Sequence, residues 1–304
     1  MSLRIVFMGT PAFAVPTLDL LIREGYQVVG VVTAADKTGG RGHKQLIESP
    51  VKQYAVAKGL HILQPLKLKD PEFLAALQAL KADLQVVVAF RMLPEAVWRM
   101  PALGAFNLHA SLLPKYRGAA PINWAIIRGE KETGVTTFFI QQDIDTGDLL
   151  FQERIPIGEN ETAGELHDRL MSLGAGVALK TVKAIESGKY HALKQDDSQA
   201  TSAPKLFHET CEINFDQSTE AVHNFIRGLS PYPAAWTTFQ GLELKILQSV
   251  PVFSSPAEPP RTVVSDHKKW LHITTADGYV NVLELQLQGK KRMSIADFLN
   301  GYKW

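Results

Sequence analysis

The sequence predicts an α/β protein in which a parallel sheet is followed by a small β-barrel. The first half alternates short apolar runs with amphipathic helical patterns. It begins with the runs Leu3–Met8 and Gln27–Thr33 on either side of a helical pattern over Ala12–Glu24. Such strand–helix–strand units are typical of a parallel, Rossmann-like sheet with right-handed crossovers. After residue 205 the chain changes to short strands broken by Gly and Pro, which favours an OB-like barrel.

The composition is that of an ordinary globular protein. The 304 residues are 45% hydrophobic and 21% charged, with a formal net charge of +1, which excludes a uniformly basic nucleic-acid coat but not a local basic patch. The single cysteine, Cys211, excludes an intramolecular disulfide and a cysteine-rich metal site. No apolar run has membrane-spanning length, and the N-terminus enters a strand without a secretory signal, so we expect a cytoplasmic protein.

The remaining elements of the first domain follow the same alternation. Further strands are expected at His61–Leu63, Leu84–Phe90, Gly104–His109, Thr133–Gln141 and Leu149–Pro156. Further helices are expected from Pro50 onward and over 70–80, 119–128 and 161–187. The first turn holds the single glycine Gly9 where a dinucleotide-binding loop needs three, which argues against NAD binding.

The chain is divided by a polar stretch rich in Ser, Pro and Asp. We predict a first domain over 1–189, a linker over 190–205 and a C-terminal domain over 206–304. One helix, over 218–228, should precede the strands of the C-terminal domain. The cations of Lys290–Arg292 fit a nucleic-acid contact on a barrel loop and an ordinary solvated surface equally well.

The candidate catalytic stretch runs from Phe106 to Pro121. Asn107 and His109 stand two residues apart on a predicted strand, so both side chains point to the same face. They lie where that strand ends, and parallel α/β sheets bind ligands just past the carboxyl ends of their strands. The alternative is that both are buried polar residues with structural hydrogen bonds.

A second candidate lies in the long loop Ala34–Ser49. Glycines at positions 39, 40 and 42 surround Arg41, and Lys37 and Lys44 are close in sequence. Such a loop can contact phosphate groups. A flexible solvated loop with incidental charge explains the same composition.

Read together, several blocks carry a family resemblance. Asn107-Leu-His109, Ser111-Leu-Leu-Pro114 with Tyr116-Arg-Gly118, and Asp145-Thr-Gly147 resemble the 10-formyltetrahydrofolate-dependent formyltransferases. Phe7-Met-Gly-Thr-Pro11, Gly40-Arg-Gly42 with Lys44, and the C-terminal β-domain are similar to those family members that act on methionyl-tRNA. The resemblance covers nearly the whole chain. It implies a formyltransferase domain followed by a tRNA-binding barrel.

The resemblance also implies a catalytic set and its chemistry. Transfer of a formyl group to an amine needs an oxyanion donor, a proton acceptor and a proton donor for the leaving nitrogen, and it requires no metal. Asn107 would donate to the oxyanion, His109 would donate as well and move protons, and Asp145 would hold His109 or an ordered water.

The remaining site residues follow from the same resemblance. The folate co-substrate would be held by the backbone of Ser111, Leu112, Leu113 and Pro114, and its pterin would be flanked by Phe90, Arg91, Met92, Leu93 and Gln141. The acceptor end of initiator methionyl-tRNA would meet Arg41, supported by Lys37 and Lys44. We further expect a monomer without a membrane partner.

Three alternatives stay open. Formyl-folate-dependent enzymes acting on UDP-linked amino sugars share the Leu-Leu-Pro-x-Tyr-Arg-Gly run, but they generally carry Arg where this chain has Ala119. A formyl-folate hydrolase would use similar groups. A folate- or tRNA-binding protein without catalysis would have no need of the Asn, His and Asp trio.

Overall fold

The computed structural model describes residues 3–39 and 45–301, with only the backbone for Gln45. The chain forms two compact units, each built from several stretches. The first unit comprises Met1–Gly118, Gly134–Arg154 and Asp168–Ser202. The second comprises Ala119–Thr133, Ile155–His167 and Ala203–Trp304.

A seven-stranded sheet forms the centre of the N-terminal fold, in the order β10-β9-β7-β6-β1-β2-β5. Its strands are β1 (Arg4–Gly9), β2 (Gln27–Val32), β5 (Ile62–Leu63), β6 (Leu84–Val88), β7 (Ala105–His109), β9 (Glu132–Phe139) and β10 (Leu149–Pro156). The pairs β1–β2, β1–β6, β2–β5 and β6–β7 are parallel, and β7–β9 is antiparallel. The predicted α/β class is confirmed. Every residue of β6 is buried, as expected for a central strand covered on both faces.

Helices connect these strands, and some of them begin at a capping side chain. They are α1 (Val15–Arg23), α2 (Pro50–Ala57), α3 (Pro71–Ala79), α4 (Glu95–Trp98), α5 (Pro121–Ile127) and α6 (Ala163–Ser187). The Ser49 hydroxyl accepts the N–H of Lys52 at 3.1 Å, and the Asp70 carboxylate accepts the N–H of Glu72 at 3.1 Å. Proline at the first position of each helix adds to these caps, because its fixed φ suits a helix start.

The long loop predicted over Ala34–Ser49 is partly ordered as strands. β3 (Lys37–Gly39) pairs antiparallel with β4 (Gln45–Ile47). The residues 40–44 between them, which include Arg41 and Lys44, lie outside the described residues.

A second, antiparallel sheet makes up most of the C-terminal fold, in the order β12-β13-β16-β15-β14, with β17 beside β16. Its strands are β12 (Ala235–Phe239), β13 (Leu242–Val252), β14 (Val263–Ser265), β15 (Leu271–Thr274), β16 (Tyr279–Leu287) and β17 (Met293–Ser294). Irregular register in β13 between Ile246 and Ser249 bends the sheet. The predicted small β-domain is thus confirmed as a curled half-barrel.

Two helices pack with this sheet, α7 (Thr219–Leu229) and α8 (Ile295–Gly301). The sequence predicted the first and missed the second. Their apolar side chains join the strands in one buried core that includes Val222, Ile226, Phe298 and Leu299. A short two-residue strand, β11 (Ser202–Ala203), pairs with β8 (Arg117–Gly118).

The compact units interleave in sequence because two early stretches pack with the C-terminal residues. Asn123 on α5 donates its amide to the carbonyl of Gly228 on α7 at 2.8 Å. The buried Arg227 guanidinium donates to the carbonyls of Gly158 and Glu161 at 3.2 and 2.9 Å. The division into 1–189, 190–205 and 206–304 stays a prediction about which part catalyses and which binds tRNA.

None of the helices within 3–39 and 45–301 combines the length and apolar character that a membrane span requires.

Candidate active site

Asn107 and His109 lie on β7, an interior strand between β6 and β9. Asn107 is paired with Val87 and Phe138, and His109 with Thr136, so both side chains leave the same face of the sheet. His109 is the last residue of β7, at the carboxyl edge, and only 6% of its surface is exposed. Asn107 is half-buried. The sequence prediction of two polar groups on one face at this edge agrees with the structure.

One hydrogen bond of His109 fixes which ring nitrogen carries the hydrogen when the ring is neutral. Its Nε2 lies 2.8 Å from the carbonyl oxygen of Tyr116, and a carbonyl oxygen can only accept, so Nε2 carries the hydrogen. The other nitrogen, Nδ1, then has a free lone pair in the neutral ring. This Nδ1 lies 3.7 Å from Oδ2 of Asp145. A proton taken up at Nδ1 would therefore face a carboxylate.

Asp145 is held in a tight turn beside this histidine. Its Oδ2 accepts the backbone N–H of Gly118 at 2.8 Å, and 12% of its side chain is exposed. Its φ is +57°, a left-handed conformation that Asp tolerates better than most residues. Two residues on, a Cβ at Gly147 would lie 1.6 Å from the carbonyl oxygen of Phe139, so only glycine fits there.

The loop Ser111–Pro114 is tied down by a buried threonine. The Thr136 hydroxyl donates to the carbonyl of Ser111 at 2.6 Å and accepts the N–H of Leu113 at 3.2 Å. The amide of Gln152 donates to the carbonyl of Leu113 at 2.7 Å. Ser111 and Leu113 are buried, and Leu112 and Pro114 are half-buried. The backbone of this loop is thus fixed in advance of any ligand.

An open cleft of about 880 Å³ lies next to the residues that follow β6. Arg91, Met92 and Leu93 line it, together with apolar residues such as Leu74 and Trp98. Since β6 and β7 are parallel neighbours, their carboxyl ends meet at one edge of the sheet, so the cleft-lining residues that follow β6 leave the sheet at the edge that carries His109. Asn107, His109 and Asp145 are not among the residues that line the cleft.

The predicted pterin neighbours differ in their exposure, their contacts and whether they line the cleft. Met92 is 70% exposed, whereas Leu93 is buried. Arg91 stacks on the ring of Phe90 at 5.6 Å and donates to the carbonyls of Pro65 and Leu66. Phe90 and Gln141 do not line the cleft, and Gln142 does.

Of the predicted tRNA contacts, the structure describes Lys37. Lys37 is exposed on β3, opposite Ile47. Arg41 and Lys44 lie outside the described residues.

One residue that sequence reasoning missed is Gln195. It lies within the predicted linker, yet only 6% of it is exposed, and it is hydrogen-bonded to the Asp145 turn. Nothing in the surrounding Lys-Gln-Asp-Asp-Ser sequence distinguishes it from a solvated polar residue.

The fold and the site together define an α/β group-transfer enzyme. An amide donor, an imidazole with a free lone pair and a carboxylate stand at the ligand-binding edge of a parallel sheet. The formyl transferase family model matches residues 3–182, and the model of the formyl transferase C-terminal domain matches residues 205–303. The chain therefore belongs to the formyl transferase family.

Several proteins of named activity are similar to this chain. The methionyl-tRNA formyltransferase of Azobacteroides pseudotrichonymphae is 53% identical over 310 residues, which cover 98% of this chain and 95% of the relative. A solved structure of WlaRD, a sugar 3N-formyl transferase in the presence of dTDP and 5-N-formyl-THF, is 22% identical with a TM-score of 0.70 and covers 96% of this chain and 100% of its own. The methionyl-tRNA formyltransferase from Clostridium thermocellum is 16% identical with a TM-score of 0.56, covering 82% of this chain and 93% of its own. The two structures show that the fold is shared.

Proposed function

We propose that this protein transfers a formyl group from 10-formyltetrahydrofolate to the free amino group of initiator methionyl-tRNA. One observation carries the proposal. This chain is 53% identical to a methionyl-tRNA formyltransferase. Its His109 lies between the Tyr116 carbonyl and Asp145, on the strand face that also carries Asn107. The product would be the formylated initiator tRNA used in translation, and this role would place the enzyme in the cytoplasm.

His109 serves as the proton acceptor in this reaction. As the amine forms its bond to the formyl carbon, its nitrogen gains positive charge and must lose a proton. The lone pair on Nδ1 takes that proton, and the Asp145 carboxylate 3.7 Å away stabilises the resulting imidazolium. His109 can later return the proton to the leaving folate nitrogen as the bond between that nitrogen and the carbon breaks.

Asn107 stabilises the negative charge that develops on the formyl oxygen. Its side-chain amide can donate a hydrogen bond, and its half-buried position limits competition from water. The Nε2 hydrogen of His109 is already used by Tyr116, so Asn107 has the larger share of this task. The folate supplies the activated formyl group, and the chain supplies orientation and proton transfer.

The fixed backbone of Ser111–Pro114 would hold the folate, with the pterin beside Phe90–Leu93 and Gln141. The cleft next to Arg91 and Met92 supports this placement, since it is apolar, open and adjacent to the catalytic edge. The tRNA would be bound by Lys37, Arg41 and Lys44 and by the domain 206–304, with the enzyme acting as a monomer.

A direct assay tests the proposal. The protein is incubated with 10-formyltetrahydrofolate and either charged initiator tRNA or a UDP-linked amino sugar, and the formylated product is measured. Formylation of Met-tRNA alone is expected. Formylation of the sugar without Met-tRNA would identify an amino-sugar formyltransferase instead, and release of formate without transfer would identify a hydrolase.

Two changes test the tRNA contacts separately. Arg41→Ala should raise KM for tRNA and leave folate binding almost unchanged. Arg23→Ala on α1 is the control, because it removes an arginine elsewhere in the chain. Equal loss of folate and tRNA binding would mean that the loop shapes the folate site. Removing residues after Pro204 should raise KM for tRNA if the first domain still folds, which circular dichroism would verify.

A further inference from the structure

The segment 195–201, inside the predicted linker, is hydrogen-bonded to both groups that flank His109. The amide Nε2 of Gln195 donates to the carbonyl oxygens of Asp145 and Gly147, at 2.8 Å each. Six residues later, the hydroxyl of Thr201 accepts the N–H of Tyr116 at 2.9 Å. Tyr116 supplies the carbonyl that accepts the Nε2 hydrogen of His109, and Asp145 supplies the carboxylate that faces its Nδ1.

The orientation of the Gln195 amide is settled by its other partner. Arg117 donates from Nε at 3.2 Å and from Nη2 at 2.8 Å to Oε1 of Gln195. A guanidinium has donors only, so the atom facing it must be the amide oxygen. The opposite end is then the NH₂ group, whose two hydrogens match the two carbonyl acceptors of the turn. Every polar atom of this buried side chain is used.

The turn that Gln195 contacts contains a backbone conformation that needs supporting contacts. Asp145 has a left-handed backbone, and Tyr116, at φ +62°, has one as well. A conformation of this kind is unfavourable for a residue other than glycine and persists only when surrounding contacts fix it. Gln195 supplies such contacts at Asp145, and Thr201 supplies one at Tyr116.

We propose that Gln195 is a positioning residue for formyl transfer, acting by fixing the Asp145 carboxylate opposite Nδ1 of His109. The inference rests on the proposed function for the roles of His109 and Asp145. Gln195 itself touches no reacting atom. A loss of its two donated hydrogen bonds lets the turn relax, and the carboxylate then no longer stabilises the protonated ring.

Steady-state kinetics of three variants test this. Gln195→Ala should lower kcat roughly 10- to 100-fold while KM for folate and for tRNA stays within about twofold, because ground-state binding is left intact. Gln195→Glu keeps an acceptor for Arg117 but has no hydrogens for the two carbonyls, so it should not rescue kcat. Gln199→Ala, an exposed glutamine in the same segment, is the matched control and should leave kcat unchanged.

The double variant decides whether Gln195 acts through Asp145. In an Asp145→Asn background the charge to be placed is gone, so adding Gln195→Ala should cost less than about twofold more. Fully additive losses, equal rises in both KM values, or wild-type kcat in Gln195→Glu would each overturn the proposal.

A spectroscopic readout separates this inference from the choice of substrate. Nitrogen-15 NMR of the wild type should show the Nε2–H tautomer of His109 in the neutral ring, and Gln195→Ala should shift its Nδ1 resonance while Gln199→Ala does not. If the wild type formylates no substrate, the proposed function fails. An unchanged His109 resonance in Gln195→Ala would then overturn the positioning role independently.

Discussion

The ring of His109 donates from Nε2 to the carbonyl oxygen of Tyr116 at 2.8 Å, and this contact directs Nδ1 at the Asp145 carboxylate. In the neutral ring this arrangement leaves the Nδ1 lone pair facing the Asp145 carboxylate. Such a group is suited to accept a proton, because the cation that forms is paired at once. The Tyr116 carbonyl keeps the ring hydrogen on Nε2. If that hydrogen were on Nδ1 instead, Nδ1 would have no lone pair with which to accept a proton.

Replacing His109 should abolish most of the activity. We expect His109→Ala to lower kcat by roughly 100-fold or more, the usual magnitude for loss of a general base, with little change in KM. The measurement is steady-state formylation of Met-tRNA. His191→Ala, at an exposed histidine, serves as the control. A loss smaller than about threefold in His109→Ala would remove histidine from the mechanism.

Asn107 should act on the transition state rather than on binding. We expect Asn107→Ala to lower kcat roughly 100- to 1000-fold, as for other lost oxyanion donors. Asn107→Asp should be at least as damaging, because it places a negative charge near the developing oxyanion. Single-turnover rates measure the chemical step, and equilibrium dialysis measures folate binding. If folate affinity fell in proportion to kcat, Asn107 would be a binding residue instead.

The sequence predicted the parts of this site that depend on local periodicity. The strand ending at His109 was visible as an apolar run, and the two-residue spacing placed Asn107 on the same face. Asp145 was found through a resemblance, because its approach to His109 depends on a turn about 36 residues away, and spacing alone gives no such contact.

Gln195 and α8 were missed for different physical reasons. The burial of Gln195 is created by the turn it contacts, so its own neighbours in sequence still look solvated. Helix α8 is only seven residues long, too short for a helical pattern to be distinguished from a loop.

Two glycine substitutions should change stability in opposite directions. Gly147→Ala would bring a Cβ within 1.6 Å of a backbone oxygen, so we expect a loss of more than about 2 kcal/mol in the free energy of unfolding. Gly176→Ala lies on helix α6 with nothing within 4 Å of the new Cβ, and should stabilise by roughly 0.5 to 1 kcal/mol. Urea denaturation measures both. If Gly147→Ala changed the free energy of unfolding in the same way as Gly176→Ala, the Asp145 turn would be able to adjust to the new side chain.

His223 on α7 should make stability depend on pH. Burial, and then the nearby charge of Arg227, lower the pKa of His223 to about 4; a hydrogen bond with the Glu159 backbone and the negative charge of Glu220 oppose this shift. In the unfolded chain the pKa returns to about 6.5, so the unfolded state binds more protons between these values. The contribution of His223 to the free energy of unfolding is therefore fully present above about pH 6.5, and it is lost as the pH falls toward 4.

A variant that cannot titrate isolates this contribution. Between about pH 7 and pH 4.5 the wild type should lose roughly 2 to 3 kcal/mol of unfolding free energy through His223, and His223→Gln should lose less by about that amount. The glutamine can still bond to the Ser249 hydroxyl, which lies 3.1 Å from Nδ1 of the native ring. His267→Asn, at an exposed position on a turn of the same unit, is the control that removes a histidine outside α7. Both variants remove one histidine. If the free energy of unfolding depended on pH in the same way in both, loss of any histidine, rather than the burial of His223 on α7, would explain the change.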